Sequence, residues 1–155
     1  MERRDIVRVL ETSEFFKGLE ESNIDRIAAL CQVETYEPGE YVFRQGDFGD
    51  KLYVIAEGRI FLERSADLDT RKGSIVIGIL GKGRVFGCWS TLLDEPHNLM
   101  SSAASEKVTK VLAIKGVNLR EVMLGNIDIG FNILERLCFL LRNRIQGAYG
   151  AMEKI

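Results

Sequence analysis

Glycines cut the middle of this chain into short apolar pieces, and that spacing limits the fold more than any other feature. Gly39, Gly46, Gly49, Gly58, Gly73, Gly78, Gly81, Gly83 and Gly87 fall in one stretch, while the whole chain of 155 residues holds only two prolines. Between these glycines lie Tyr41–Phe43, Leu52–Ala56, Arg59–Leu62 and Ile75–Leu80. Such pieces are too short for helices. Brief β-type runs punctuated by turn residues point to a small barrel or sandwich. Leu52, Tyr53, Val54, Ile55 and Ala56 are apolar on both alternations, so that strand is expected to be covered on both faces. The polar segment Ser65–Gly73 reads as a hairpin loop. Gly81-Lys82-Gly83 lacks the order of a phosphate loop and reads as a turn between strands.

The two ends follow a different period. Ile24, Ile27 and Ala28 recur at helical spacing after Ser22, a candidate N-cap with Asp25 three residues on. Ile127 to Ile145 repeats apolar residues at Ile133, Leu134, Leu137, Leu140 and Leu141, the pattern of an amphipathic helix with a wide stripe. Arg142 and Arg144 suit the later turns of its dipole, and Gly147 and Gly150 are expected to fray its end. Asn118–Leu124 reads as a shorter helix before it. The order is helix, β-rich middle, helix, in one domain over residues 1–155.

Composition narrows the function classes. Hydrophobic residues make up 46% and charged residues 28%, enough for a buried core without a metal or disulfide. A formal charge of −2 argues against a broad nucleic-acid footprint. Cys31, Cys88 and Cys138 lie far apart with no C-x-x-C pair, so no metal site is expected and the thiols read as reduced. No apolar run nears the ~18 residues of a membrane span, and Met1–Leu10 is too charged for a secretory signal. A cytoplasmic protein with no membrane contact is expected. The only histidine, His97, follows Pro96 in a loop, and nothing around Cys88 marks a nucleophile elbow. No catalytic residue stands out, and the chain is not expected to be an enzyme.

The glycine-bounded motifs carry a family resemblance. Pro38-Gly39-Glu40, Gln45-Gly46-Asp47, Gly49-Asp50-Lys51-Leu52-Tyr53-Val54-Ile55, Glu57-Gly58-Arg59 and Gly83-Arg84-Val85-Phe86-Gly87 follow one another in order. Over about residues 9–145 the chain resembles the cyclic nucleotide-binding domain family. These are the sensory domains of catabolite-activator-type (Crp/Fnr-like) transcription factors, cyclic-nucleotide-dependent kinases and gated channels. Phe15-Phe16-Lys17-Gly18-Leu19 resembles the family's opening F-x-x-L segment. The resemblance implies a mainly β fold with flanking helices: an eight-stranded β-roll of jelly-roll type at about 32–114, an N-terminal helical segment, and C-terminal helices at about 116–150. It also implies a phosphate-binding cassette from Phe86 to about Ser102. Its candidate ligand-binding residues are Phe86, Gly87, Cys88, Trp89, Ser90, Thr91, His97, Leu99, Ser101 and Ser102.

The cassette departs from the family pattern. Cys88 occupies the place of the glutamate that accepts from the ribose hydroxyl. Counting forward puts the phosphate-pairing arginine at His97; counting back from Lys110–Ile114 puts it at Leu99. No arginine lies between Val85 and Leu119. An anion left beside an unpaired site costs roughly 2–5 kcal/mol. Loss of a charged hydroxyl acceptor costs about 1.5–3 kcal/mol more. At about 1.4 kcal/mol per decade, affinity falls at least a thousandfold. Backbone amides, Ser90, Ser101, Ser102 or a protonated His97 restore part of this.

The expected function is regulatory: sensing a small ligand, cAMP or cGMP or a divergent one, and signalling through the C-terminal helix. A ligand-free dimeric scaffold is the alternative, and a haem or redox sensor using Cys88 with His97 the third. No cofactor is expected beyond a cyclic nucleotide. Trp89 reads as a lid over an apolar pocket or as core. Ile133, Leu137, Leu140 and Leu141 are expected to pair with their twins in a homodimer. The sequence ends at Ile155, so no recognition helix, no direct DNA binding, and an unknown protein partner for the output are expected.

Overall fold

Each apolar piece of the middle becomes a strand. The computed structural model describes residues 1–68 and 71–153. Two helices lead in, α1 (Arg3–Thr12) and α2 (Glu21–Ala28). Six strands follow: β1 (Gln32–Tyr36), β2 (Tyr41–Phe43), β3 (Lys51–Glu57), β4 (Ile60–Leu68), β5 (Arg71–Leu80) and β6 (Val85–Gly87). A short 3-10 helix, Trp89–Leu93, precedes β7 (Ser102–Ser105) and β8 (Thr109–Lys115), and α3 (Gly116–Gly125) and α4 (Ile127–Glu153) close the chain. The strands form two four-stranded antiparallel sheets, ordered β1-β8-β3-β6 and β2-β7-β4-β5. This is the expected eight-stranded roll with flanking helices. None of the helices is long and apolar enough to cross a membrane, among the described residues.

Strand β3 divides the core, as its double alternation predicts. Leu52, Val54 and Ala56 point to the helices and join Leu10, Phe15, Ile27 and Ile133 in one cluster. Tyr53 and Ile55 point into the roll and join Phe43, Ile60, Phe86 and Val111 in another. Trp89 packs against both clusters. Strand β8 covers β3 through the pairs Leu52↔Ile114, Tyr53↔Ala113 and Val54↔Leu112.

Several local expectations need correction. The chain opens with a helix, α1, that the charge of Met1–Leu10 obscured; Ile6, Val9 and Leu10 give it an inward face. Helix α2 begins at Glu21 with the extended Glu20 as its N-cap, so Ser22 sits inside the first turn. Glu20 wins because its carbonyl accepts from both Asn23 N and Ile24 N. The polar segment Ser65–Gly73 is not one long loop: the β4–β5 ladder runs from Ile60↔Leu80 to Leu68↔Arg71. Asp69 and Thr70 lie outside the described residues. Ser65 and Gly73 are exposed, so polarity at those positions reports exposure and not the absence of a strand.

Helix α4 runs on through Gly147 and Gly150 to Glu153. Each glycine costs only about 1 kcal/mol against alanine, less than the packing the helix gains. The expected dimer stripe on α4 is also corrected. Ile133, Leu137 and Leu140 are 0%, 7% and 2% exposed, and all three lie in the cluster beneath the helix. Leu141 is half-buried and packs against that cluster. Ile133, Leu137 and Leu140 are spent within one chain and leave no surface there for a second copy.

Gly87 ends β6 at φ +126°, and a Cβ there would stand 2.5 Å from the Lys51 carbonyl oxygen. Backbone cannot yield as a side-chain tip does. Gly87→Ala is expected to destabilise the chain by about 2–4 kcal/mol, lowering Tm by about 5–15 °C. Gly81 has open space around it, so Gly81→Ala is the matched control, expected to shift Tm little. A thermal melt followed by circular dichroism compares the two.

Candidate functional site

The segment after β6 folds back on itself. Gly87 turns the chain, Cys88 caps the 3-10 helix, and Asp94 ends it in the left-handed region at φ 59°. Asp94 N–H donates to the Ser90 and Thr91 carbonyls, and Glu95 N–H to that of Ser90. A bridge between Phe48 and Asn98 then ties the return path to the roll before β7 begins. The segment expected to be the cassette folds as a short 3-10 helix and a loop between β6 and β7.

The structure divides the cassette residues into two groups. Phe86, Gly87, Trp89 and Ser101 line a cavity of about 270 Å³ between the roll and α4. The Phe86 ring stacks on Tyr53 at 5.1 Å and supports that wall from below. The others face elsewhere. Cys88 is 1% exposed, with its sulphur 3.8 Å from His97 Nδ1 and 3.5 Å from Ser90 Oγ. Thr91 is buried and donates its hydroxyl to the Cys88 carbonyl at 2.9 Å. His97 is exposed at the loop surface, and Leu99 is buried in the cluster inside the roll. Ser102 Oγ accepts from Gln45 N–H at 2.8 Å.

Neither position counted for the phosphate arginine faces the cavity. The Cys88 thiol lies beneath Gly49, whose added Cβ would stand 2.9 Å from the Cys88 Cβ. A redox thiol needs access, and this one has none.

Sequence reading missed the residues that complete the cavity. Arg64 comes from β4 and donates Nη1–H to the Met100 carbonyl at 2.5 Å. Helix α4 adds Leu141, Arg144, Ile145 and Ala148. Arg144 Nη2 donates to the Val85 carbonyl at 2.7 Å and lies 3.7 Å from Glu14 Oε1. Its guanidinium carbon is 5.9 Å from the centre of the Trp89 ring, within cation–π range. Its Nε is buried and has no partner among the described residues. Burial pulls the Arg144 pKa down to about 10, opposed by Glu14 and assisted by Arg84, so it stays charged at neutral pH. Among the described residues no carboxylate lines this cavity. The only hint in the sequence was that Leu141, Arg144, Ile145 and Ala148 fall three or four apart on one helix face.

Glu14 holds the site from behind. Its carboxylate accepts from Val85 N–H at 2.6 Å and from Arg84 Nε at 3.1 Å, besides facing Arg144. The loop after α1, the start of β6 and the late turns of α4 are thus joined at one side chain. A wider cleft of about 580 Å³ beside α1 places Asp5, Glu11 and Glu57 among Arg8, Lys82 and Lys110. There Glu57 and Lys110 already pair at 3.2 Å, so its charges largely answer one another.

Comparison with known proteins agrees with this architecture. The chain is 32% identical over 139 residues to the Cyclic AMP receptor protein of Thermus thermophilus, covering 90% of this chain and 60% of that protein. It is 28% identical over 120 residues to a cGMP-dependent protein kinase of Plasmodium berghei, covering 77% of this chain and 13% of the kinase. The chain therefore spans less than two thirds of either relative. A crystal structure of a cyclic nucleotide-binding domain from Methylobacillus flagellatus superposes with a TM-score of 0.80, covering 99% of this chain and 84% of the other. At 19% identity that likeness is one of fold. The sequence profile described as the cyclic nucleotide-binding domain matches residues 33–126. That span takes in the roll from Val33 onward, the cassette and α3, and the chain belongs to the cyclic nucleotide-binding domain family.

Proposed function

We propose that this chain is a regulatory sensor in which a small ligand in the cavity sets the position of α4, and α4 passes that position to a second copy. One observation carries this reading. Leu141, Arg144, Ile145 and Ala148 put the signalling helix itself into the cavity wall. A ligand touching that wall binds one helix position better than another, which is the condition for shifting a population.

The second copy is argued from the outer face of α4. Ile127, Phe131, Leu134, Cys138, Leu141 and Ile145 alternate at steps of four and three residues, and Ala148 and Met152 continue the pattern. That is a heptad seam, whose 3.5-residue repeat suits a partner helix. Phe131 is 67% exposed and Leu134 40% exposed. The seam lies beside the buried stripe, and Leu141, Ile145 and Ala148 belong both to it and to the cavity. Two-helix pairing along it runs for roughly 39 Å at 1.5 Å per residue.

Oxidative cross-linking tests the pairing. Cys138 is exposed on the seam, Cys88 is buried, and burial pushes the Cys31 thiol up to about 12. Parallel pairing brings Cys138 against its own copy. Copper–phenanthroline is expected to give a disulfide-linked dimer at micromolar protein, and Cys138→Ser to give none. A chain that scatters light as a monomer and fails to cross-link removes the second copy from the reading. A stable dimer whose α4 answers no ligand leaves the scaffold alternative.

A further inference from the structure

The sensor reading leaves the ligand open, and the cavity narrows its chemistry. Among the described residues the charged side chains in its lining are Arg64 and Arg144, one from the roll and one from the helix. Among the described residues Arg144 is held incompletely: one nitrogen serves the Val85 carbonyl, Glu14 stands beyond hydrogen-bond length, and Nε is buried with no partner. A guanidinium carries five N–H donors in a flat fork suited to a carboxylate or phosphate. One so placed offers strong, directed binding to an anion.

The remaining walls are apolar apart from Ser101 and the Gly87 backbone. Phe86 and Trp89 are among the lining residues, together with Leu62, Ile77 and Met100. Ligand pockets commonly run about 300–1,000 Å³, so about 270 Å³ is at the small end. The positions that would read a ribose and its cyclic phosphate lie elsewhere: Cys88 and Leu99 are in the core and His97 is at the loop surface.

Resting on the sensor reading, we propose that the cavity binds a compact apolar anion: an aromatic body with one carboxylate or phosphate head. The head pairs with Arg144, and Arg64 supplies the second cation. The aromatic body lies against Trp89 and Phe86. Because Arg144 belongs to α4, the head competes with the Val85 carbonyl and Glu14 for that side chain. Binding therefore acts on the helix directly, through an arginine outside the cassette.

Trp89 is the only tryptophan and lines the cavity, so tryptophan emission comes from this one side chain. The probes are phenylacetate, phenyl phosphate, neutral phenylacetamide and cAMP, each titrated against the full chain. Phenylacetate or phenyl phosphate is expected to change Trp89 emission saturably, and comparing the two identifies the preferred head. Phenylacetamide is expected to bind at least tenfold more weakly. Arg144→Gln is expected to cost at least tenfold in affinity for the anions while leaving the amide unchanged. Arg64→Gln, at an exposed position that does not threaten folding, is expected to cost severalfold. Equal binding of amide and anion, or an anion affinity untouched by both substitutions, overturns the proposal while leaving the cavity a ligand site. Tighter binding of cAMP than of either anion overturns it in favour of a nucleotide, again with the sensor reading intact. No response to any probe overturns the proposal and removes support from the sensor reading as well.

Discussion

Phe131→Asp combined with Leu134→Asp is expected to give a folded monomer, and Ile133→Asp a chain that does not fold. The three positions are neighbours in sequence and opposites in environment. Phe131 and Leu134 lie on the outer seam of α4, 67% and 40% exposed. Ile133 is fully buried between α4 and the roll. An aspartate at Ile133 buries a charge without a partner and deletes core volume, which costs more than about 4 kcal/mol. Domains have only about 5–15 kcal/mol in total. The seam aspartates meet water in the monomer and cost little there. In the proposed dimer they would place four like charges along one interface, and the dissociation constant is expected to rise at least a hundredfold. Light scattering reads the mass and far-UV circular dichroism the fold. A dimer that survives both seam aspartates would place the interface elsewhere.

Glu14→Ala is expected to release α4 from the roll. The carboxylate serves Val85 N–H, Arg84 and Arg144, and the Glu14 and Arg144 side chains are each only 20% exposed. Removing one partner of a buried pair leaves the other charged and unanswered, at a cost of about 3–5 kcal/mol. Arg84 softens the loss because it is more exposed, so about 3 kcal/mol is expected. That corresponds to a fall in Tm of about 6–12 °C. Glu14→Gln keeps an acceptor for Val85 N–H and is expected to cost less. Arg144→Leu in the Glu14→Ala background is expected to restore part of the loss, because the stranded charge is gone. A double-mutant cycle with additive effects would show that Glu14 and Arg144 do not act together.

Much of the fold was legible because its signals are local. Glycines flanking Tyr41–Phe43 and Leu52–Ala56 mark strand ends, and those segments became β2 and the middle of β3. The apolar character of both alternations in β3 also foretold two core clusters. The cassette was legible as a segment, but the direction of its side chains was not. Nothing in the order of residues says that Ser101 faces the cavity while neighbouring Ser102 is engaged by Gln45.

Helix α4 shows the limit most clearly. Two apolar stripes run side by side on it, and a sequence reports only their combined width. Which stripe meets the roll depends on how the helix docks. The buried stripe is Ile129, Ile133, Leu137 and Leu140, and the heptad seam beside it is the free one. Arg144 was legible only as a favourable charge late in a helix. Its role follows from Arg64, Trp89 and Glu14, residues brought to it from distant parts of the chain by closure of the roll.

The central claim is that α4 joins the cavity to the pairing surface, and dilution tests it without any ligand. Trp89 emission and molar mass are followed on the same samples from high micromolar to low nanomolar concentration. Coupling predicts that the Trp89 spectrum shifts along the same curve on which the mass falls from two chains to one. A mass that halves while the Trp89 spectrum stays constant would contradict the account, because the helix would then separate from its partner without being felt in the cavity.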